Sequence, residues 1–296
     1  MKEILRKIRK VELKTRRLVH TTFAGAYDSA FKGQGLEFEE VRPYQIGDDI
    51  RTIDWNVTAK MGQAYVKTYR EEREQVLFLL VDISASQFFG NAHQQKIYTA
   101  TEIAAILGFS ALKNQDRVGL ATFSEVVERF HPPKRGKKQV LAMLYTLLQQ
   151  APKHSGTSLK VVLDRVAPYL NRRSVLVVIS DFISSDYEAA LLRLSKRHEI
   201  ILMQIFHPYE YMNLPAAILP IMDMESGNNR WVYTGSKKFR TSIQEEFTKR
   251  QTMLKRLSKR KNMYFVSIDI SQDYLTVLEA FFKKRSRTGV QRGARS

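Results

Sequence analysis

The segment VLFLLVD, Val76 to Asp82, is apolar at every position but the last. A continuous run of this kind, without the alternation of a half-exposed strand, reads as a strand buried on both faces. SVLVVISD at 174–181 repeats the pattern and also ends in aspartate. Strands and helices alternate from residue 76 onward. Helical spacing predicts helices at about 94–114, with Ile103, Ile106, Leu107 and Ser110 on one side, at 137–151, and through about Leu170. Further helices are predicted at 186–197, 237–261 and 273–285. Strands are predicted at 116–124 and 125–132, joined by a tight turn, and at 199–206 and 263–270. Alternation of this length argues for an α/β fold with a doubly wound, mostly parallel sheet and right-handed crossovers.

The pattern before residue 76 is different. Ile4, Ile8 and Val11 recur at helical spacing among charges, predicting a basic amphipathic helix over 2–18. Its apolar stripe is narrow and lacks aromatics, which favours packing on the chain's own domain over lying on a membrane. Residues 21–75 are rich in Gly, Asp and aromatics and read as short strands and ordered loops, with turns at Gly33, Gly35 and Gly47 and with Pro43 opposing helix. Residues 208–235 contain prolines and a hairpin-like MDMESGNNRWVYTG. The expected division is a helix and β-rich extension at 1–75, an α/β domain at 76–285, and a basic tail at 286–296 without fixed structure.

Composition narrows the chemistry. With no cysteine among 296 residues, disulfides, thiolate catalysis and cysteine-held metals are excluded, and a reducing, cytoplasmic compartment is expected. No apolar run approaches the roughly 18 residues of a membrane span, and the N-terminus lacks the apolar core of a secretory signal. The net charge of +18 first suggests nucleic acid. Residues 1–19 and 283–296 each carry +6, however, so two thirds of the excess is terminal. Neither end holds an aromatic for stacking on bases. A nucleic-acid-associated protein with a vestigial metal site is therefore the alternative reading, and peripheral membrane contact through the basic ends stays open.

Strand ends are where polar side chains face solvent together, and in open α/β sheets the carboxyl ends form the functional crevice. Asp82, Ser84 and Ser86 stand at alternate positions after the first buried strand, and Asp181 ends another. The loop SGTSL brings Thr157, with Gly156 before it permitting close backbone approach. Two carboxylates and three hydroxyls on one edge suit a hard divalent cation such as Mg²⁺, with Mn²⁺ accepting the same oxygen set. The competing reading is that Ser84, Ser86 and Asp181 cap the helices that follow.

DISAS, a Gly-Thr loop and a strand ending in Ser-Asp together resemble the metal-ion-dependent adhesion site of von Willebrand factor A domains. The resemblance implies that Asp82, Ser84, Ser86, Thr157 and Asp181 hold Mg²⁺, the hydroxyls directly and one or both aspartates partly through water. A partner's carboxylate then completes the coordination. Gln87 stands where many relatives have Met, at a position that is not a ligand. GQGLEFEEVRPYQIGDDIRTIDWNVTAK, before the domain, resembles the signature of the bacterial family called domain of unknown function fifty-eight, and the likeness runs from about residue 10 to 285. Genes of that family commonly neighbour those of MoxR-type AAA+ ATPases, which implies an adaptor or co-chaperone acting with such an ATPase or its client. Many relatives carry membrane segments, and this sequence has none, so tethering is not carried over. Within the signature, Arg42, Asp48, Asp49, Arg51, Asp54 and Trp55 are candidates for a partner surface. The preferred reading is a self-satisfied network of Arg–Asp pairs with Trp55 packed over it.

Enzyme signatures are missing. The second position of DxS is Ser84 rather than the aspartate of a haloacid-dehalogenase-type phosphatase, and GQGLEF lacks the third glycine of a dinucleotide loop. No Gly-x-Ser-x-Gly elbow, HExxH helix or Walker loop occurs, and none of the six histidines pairs with a carboxylate, His154 near Thr157 included. The expectation is a protein-binding module, not an enzyme.

Overall fold

A computed structural model describes residues 2–19, 36–71, 75–88, 95–149, 156–211, 216–222 and 229–293. The chain opens with helix α1 (Lys2–Leu18), followed by strand β1 (Leu36–Pro43), helix α2 (Trp55–Met61) and strand β2 (Tyr65–Glu71). The α/β body comprises β3 (Val76–Asp82), α3 (Lys96–Lys113), β4 (Arg117–Phe123), β5 (Val127–Lys134), α4 (Lys137–Leu148), α5 (Leu159–Val166), β6 (Ser174–Ser180), α6 (Glu188–Ser195) and β7 (Glu199–Phe206). It continues through the antiparallel pair β8 (Ile218–Met222) and β9 (Asn229–Tyr233), then α7 (Lys237–Ser258), β10 (Met263–Asp269) and α8 (Tyr274–Gly293).

Six strands form the main sheet in the order β10-β7-β6-β3-β4-β5, parallel except for β5, which runs antiparallel to β4. Numbered by their own succession, these strands lie 3-2-1-4-5-6, the doubly wound order in which chain direction diverges between the two central strands. Those strands are β3, which ends in Asp82, and β6, which Asp181 directly follows. Both are buried almost throughout, as an inner parallel strand must be.

Alternation along each strand splits the core in two. Leu79, Val81, Val177 and Ile179 face α3, α4 and α8, while Phe78, Leu80, Leu176 and Val178 face α5, α6 and α7. Gly119 in β4 makes room for the Phe78 ring, since a Cβ there would lie 2.6 Å from that ring. The apolar stripe of α1 packs on the chain's own α/β body. Val11 and Val19 pack with Ala105 and Phe109 of α3 and Val140 and Leu144 of α4. Lys14 pairs with Glu102 at 2.8 Å, and Lys137 with Glu12 at 2.8 Å. This outer layer is why α3 is buried on nearly all sides, beyond the single face its spacing predicts.

Two further differences from the sequence reading are local. The extension contains a helix, α2, where only strands and loops were expected. Asp54 caps its start by accepting from the Asn56 and Val57 amides, and Gly62 ends it at φ +73°. The last helix runs to Gly293, past the expected end at 285. Gly33, Gly35 and His154 lie outside the described residues. Among the described residues, no helix is long and apolar enough to cross a membrane.

Candidate functional site

The carboxyl ends of β3 and β6 adjoin at the point where the sheet's winding diverges, the usual location of a crevice in such folds. Register places Asp82 beside Ser180, and the Ser180 hydroxyl donates to Asp82 Oδ2 at 2.6 Å. The Ser84 amide donates to Asp82 Oδ1 at 2.9 Å, curling the chain into a short 3-10 turn at Ala85–Phe88. After β6, Phe182 adopts φ +58°, uncommon for a bulky residue. It is held there by its buried ring and by donating its amide to Ser180 Oγ at 2.9 Å. The Ile183 amide donates to Asp181 Oδ1 at 3.1 Å.

Four of the five residues expected at the site converge. Ser86 donates its hydroxyl to Asp181 Oδ2 at 2.7 Å, and Ser84 Oγ lies 3.1 Å from Ser86 Oγ. Because Ser86 spends its proton on Asp181, Ser84 is the donor in the second bond. Thr157 is not bonded to the other four: its carbonyl accepts from Ser184 Oγ at 3.1 Å, and no bond of its hydroxyl to the cluster is found among the described residues. The serines and aspartates therefore bond chiefly to one another, across two strands, and not to helix N-termini as capping would have them.

Sequence reasoning missed a cation here. Lys96, the first residue of α3, is 1% exposed, and its Nζ lies 2.7 Å from Asp181 Oδ2 and 2.9 Å from Glu210 Oε1. Glu210 closes the 3-10 turn Pro208–Glu210 that follows β7. Burial would push the Lys96 ammonium down, but Asp181 and Glu210 outweigh it and raise its pKa, so it stays charged. Burial likewise opposes the charge of Asp181, yet Lys96 brings that carboxyl below its usual range. Burial raises Glu210 despite Lys96. Asp82 has no such partner. Burial, reinforced by the Asp181 charge, pushes it up to about 7.

These groups fit a hard divalent cation in charge and spacing. Ionised Asp82, Asp181 and Glu210 exceed Lys96 by two negative charges, the amount one divalent ion neutralises. The 3.1 Å between Ser84 Oγ and Ser86 Oγ matches the roughly 3 Å octahedral edge implied by Mg–O distances near 2.1 Å. Asp82 is held by the Ser180 hydroxyl and the Ser84 amide, with no cation against it among the described residues. Asp181 Oδ2, by contrast, is already shared by Ser86 and Lys96. No group of three or more His, Asp or Glu side chains able to hold a metal is found among the described residues, so the fit rests on hydroxyls as well as carboxylates.

The signature residues of the extension satisfy one another. Arg42 donates two bonds to Asp48, at 2.8 and 2.7 Å. Asp49 accepts from the Arg51 amide at 3.0 Å, and Asp54 pairs with Lys67 at 3.2 Å while capping α2. Trp55 does not cover this network. It is 68% exposed, at the outer start of α2.

A family model described as "Protein of unknown function DUF58" matches residues 40–253. Uncharacterized proteins of Mycobacterium bovis and Mycobacterium tuberculosis are 30% identical over 223 residues, covering 74% of this chain and 70% of theirs. Among solved structures, an aerotolerance-related membrane protein from Bacteroides fragilis aligns with a TM-score of 0.45 at 16% identity, over 71% of this chain and 99% of that one. The SpRpn10 VWA domain aligns with a TM-score of 0.41 at 12% identity, over 69% and 93%.

Proposed function

This chain belongs to the family described as protein of unknown function DUF58, and from the crevice it builds between β3 and β6 we propose that it is a metal-dependent protein-binding module. The observation that carries the proposal is the pairing of Asp82 with Ser180, of Ser84 with Ser86 and of Ser86 with Asp181, in a largely buried cluster holding more carboxylate than cation. In this reading Asp82, Ser84 and Ser86 hold Mg²⁺ or Mn²⁺, with Asp181 and Thr157 completing the set as the adhesion-site resemblance implies. Bound there, the ion supplies the positive charge that makes a partner's acidic side chain welcome at the crevice.

The chain's own residues do the positioning. Ser180 and the Ser84 amide fix the orientation of the Asp82 carboxyl. The Ile183 amide and Lys96 hold Asp181 ionised while Ser86 is oriented against it. Such pre-ordering spares binding the cost of arranging five side chains. The partner would be a MoxR-type AAA+ ATPase or a client of one, with this chain as adaptor or co-chaperone. The test is co-precipitation of a purified MoxR-type AAA+ ATPase, in Mg²⁺ and in EDTA, with wild type and Asp82→Asn. Capture by the wild type in Mg²⁺ alone supports the reading; capture undiminished in EDTA refutes it.

A further inference from the structure

Lys96, Asp181 and Glu210 form a line running from the interior to the surface. Asp181 and Lys96 are each 1% exposed at the side chain, and Glu210 is 17% exposed. Glu210 is thus the outermost member, placed over a buried ammonium. The two carboxylates are anchored unequally. Asp181 sits at the end of a central strand and takes bonds from Ser86, Lys96 and the Ile183 amide. Glu210 ends a three-residue 3-10 turn, and among the described residues it accepts, besides Lys96, the His207 amide at 3.2 Å. That turn is pinned on either side. The Phe206 ring packs on Phe247 at 5.0 Å, and the Tyr211 ring stacks on Phe247 at 4.0 Å. Glu210 can therefore leave Lys96 while the flanking rings keep their places.

We propose that Glu210 holds, from within the chain, the place that a partner's acidic side chain takes, so that the crevice is closed at rest and a partner opens it by exchanging its carboxylate for Glu210 on Lys96. This inference rests on the crevice being the binding site described above. Electrostatics selects the occupant. Removing one member of a buried ion pair leaves an uncompensated charge and is strongly unfavourable. A neutral or basic side chain cannot therefore displace Glu210, whereas another carboxylate can do so with no change in buried charge. The partner this fits is a protein segment presenting an exposed Asp or Glu. Lys96 then acts as a permanent cation of the site, always present, while the divalent ion comes and goes.

The test titrates acetylated, amidated Gly-Gly-Asp-Gly-Gly into the full chain in Mg²⁺, with the Asn peptide as blank, following the Nζ resonance of Lys96 in ¹⁵N-lysine-labelled protein. Glu210→Gln keeps the size of the side chain and removes the competing charge. If Glu210 occupies Lys96 in about nine molecules of ten, the variant binds the Asp peptide about tenfold tighter than wild type. Equal affinities, with binding lost in Asp82→Asn, overturn the exchange and leave the crevice as the binding site. Asp-peptide binding by neither protein overturns both. A second measurement needs neither peptide nor metal: acylation of lysines in EDTA, read by mass spectrometry. Lys96 should react far more slowly than exposed Lys160 in wild type and at least about tenfold faster in Glu210→Ala than in wild type, a ratio set by the same closed fraction. An unchanged Lys96 rate overturns the closed state.

Discussion

Replacing Asp82 by Asn should stabilise the metal-free protein at pH 8, although it removes a residue of the site. Asp82 is wholly buried, and burial with the nearby Asp181 charge lifts its pKa to about 7. In the unfolded chain an aspartate titrates near 3.9. Between about pH 4 and 7 the folded chain therefore holds a proton that the unfolded chain has released. The stability associated with that proton is fully present below about pH 4 and is lost as pH rises through 7. A shift of about three units corresponds to roughly 4 kcal/mol at pH 8. Asn removes the ionisation. Its carbonyl accepts the Ser84 amide, and its NH₂ turns to Ser180 Oγ, which already accepts from Phe182. That rearrangement costs on the order of 1–2 kcal/mol, leaving a net gain of roughly 2–3 kcal/mol. The assay is urea unfolding in EDTA at pH 8 and pH 4.5. The variant's midpoint should be higher at pH 8, and the advantage should vanish at pH 4.5, where wild-type Asp82 is protonated. Saturating Mg²⁺ should reverse the ranking at pH 8, since ligand at about 1,000 times its dissociation constant adds about 4.1 kcal/mol to the wild type alone. A variant less stable than wild type at pH 8 in EDTA, or a difference independent of pH, would refute the reasoning.

Other substitutions probe different parts of the account. Lys96→Met leaves Asp181 buried without its counter-charge and should cost about 3–5 kcal/mol in urea unfolding at pH 7, where an exposed lysine would cost almost nothing. Gly119→Ala puts a Cβ against the buried Phe78 ring and should cost about 1–3 kcal/mol. Trp55→Ala should change stability by no more than about 0.5 kcal/mol, because the side chain is largely exposed; a larger loss in urea would mean that it packs on something. A mixed-sequence oligonucleotide should show no binding at physiological salt. Tight binding that falls steeply with salt would revive the nucleic-acid reading.

The continuous apolar runs ending in Asp82 and Asp181 made the central strands legible, and their order in the chain placed both aspartates at one edge. Strand β7 was predicted at 199–206 and occupies Glu199–Phe206. Lys96 was not legible because a lysine near a helix start usually points to solvent. A signal was nonetheless present: a cation at a helix N-terminus opposes the helix dipole, which calls for carboxylates nearby. Glu210 gave less warning, since only the neighbouring strand order brings its turn over the crevice. Helix α2 was masked by the glycines and Pro43 before it, though Asp54 and Gly62 bracket it as a cap and a left-handed stop. Trp55 is the first residue of that helix and is largely exposed.

The most direct test of the site is Mn²⁺ binding, followed by electron paramagnetic resonance on wild type and Asp82→Asn at pH 8. The account predicts one bound ion per wild-type chain, displaced by excess Mg²⁺, and none in the variant. Equal binding by both proteins, or no binding by folded wild type, would contradict it.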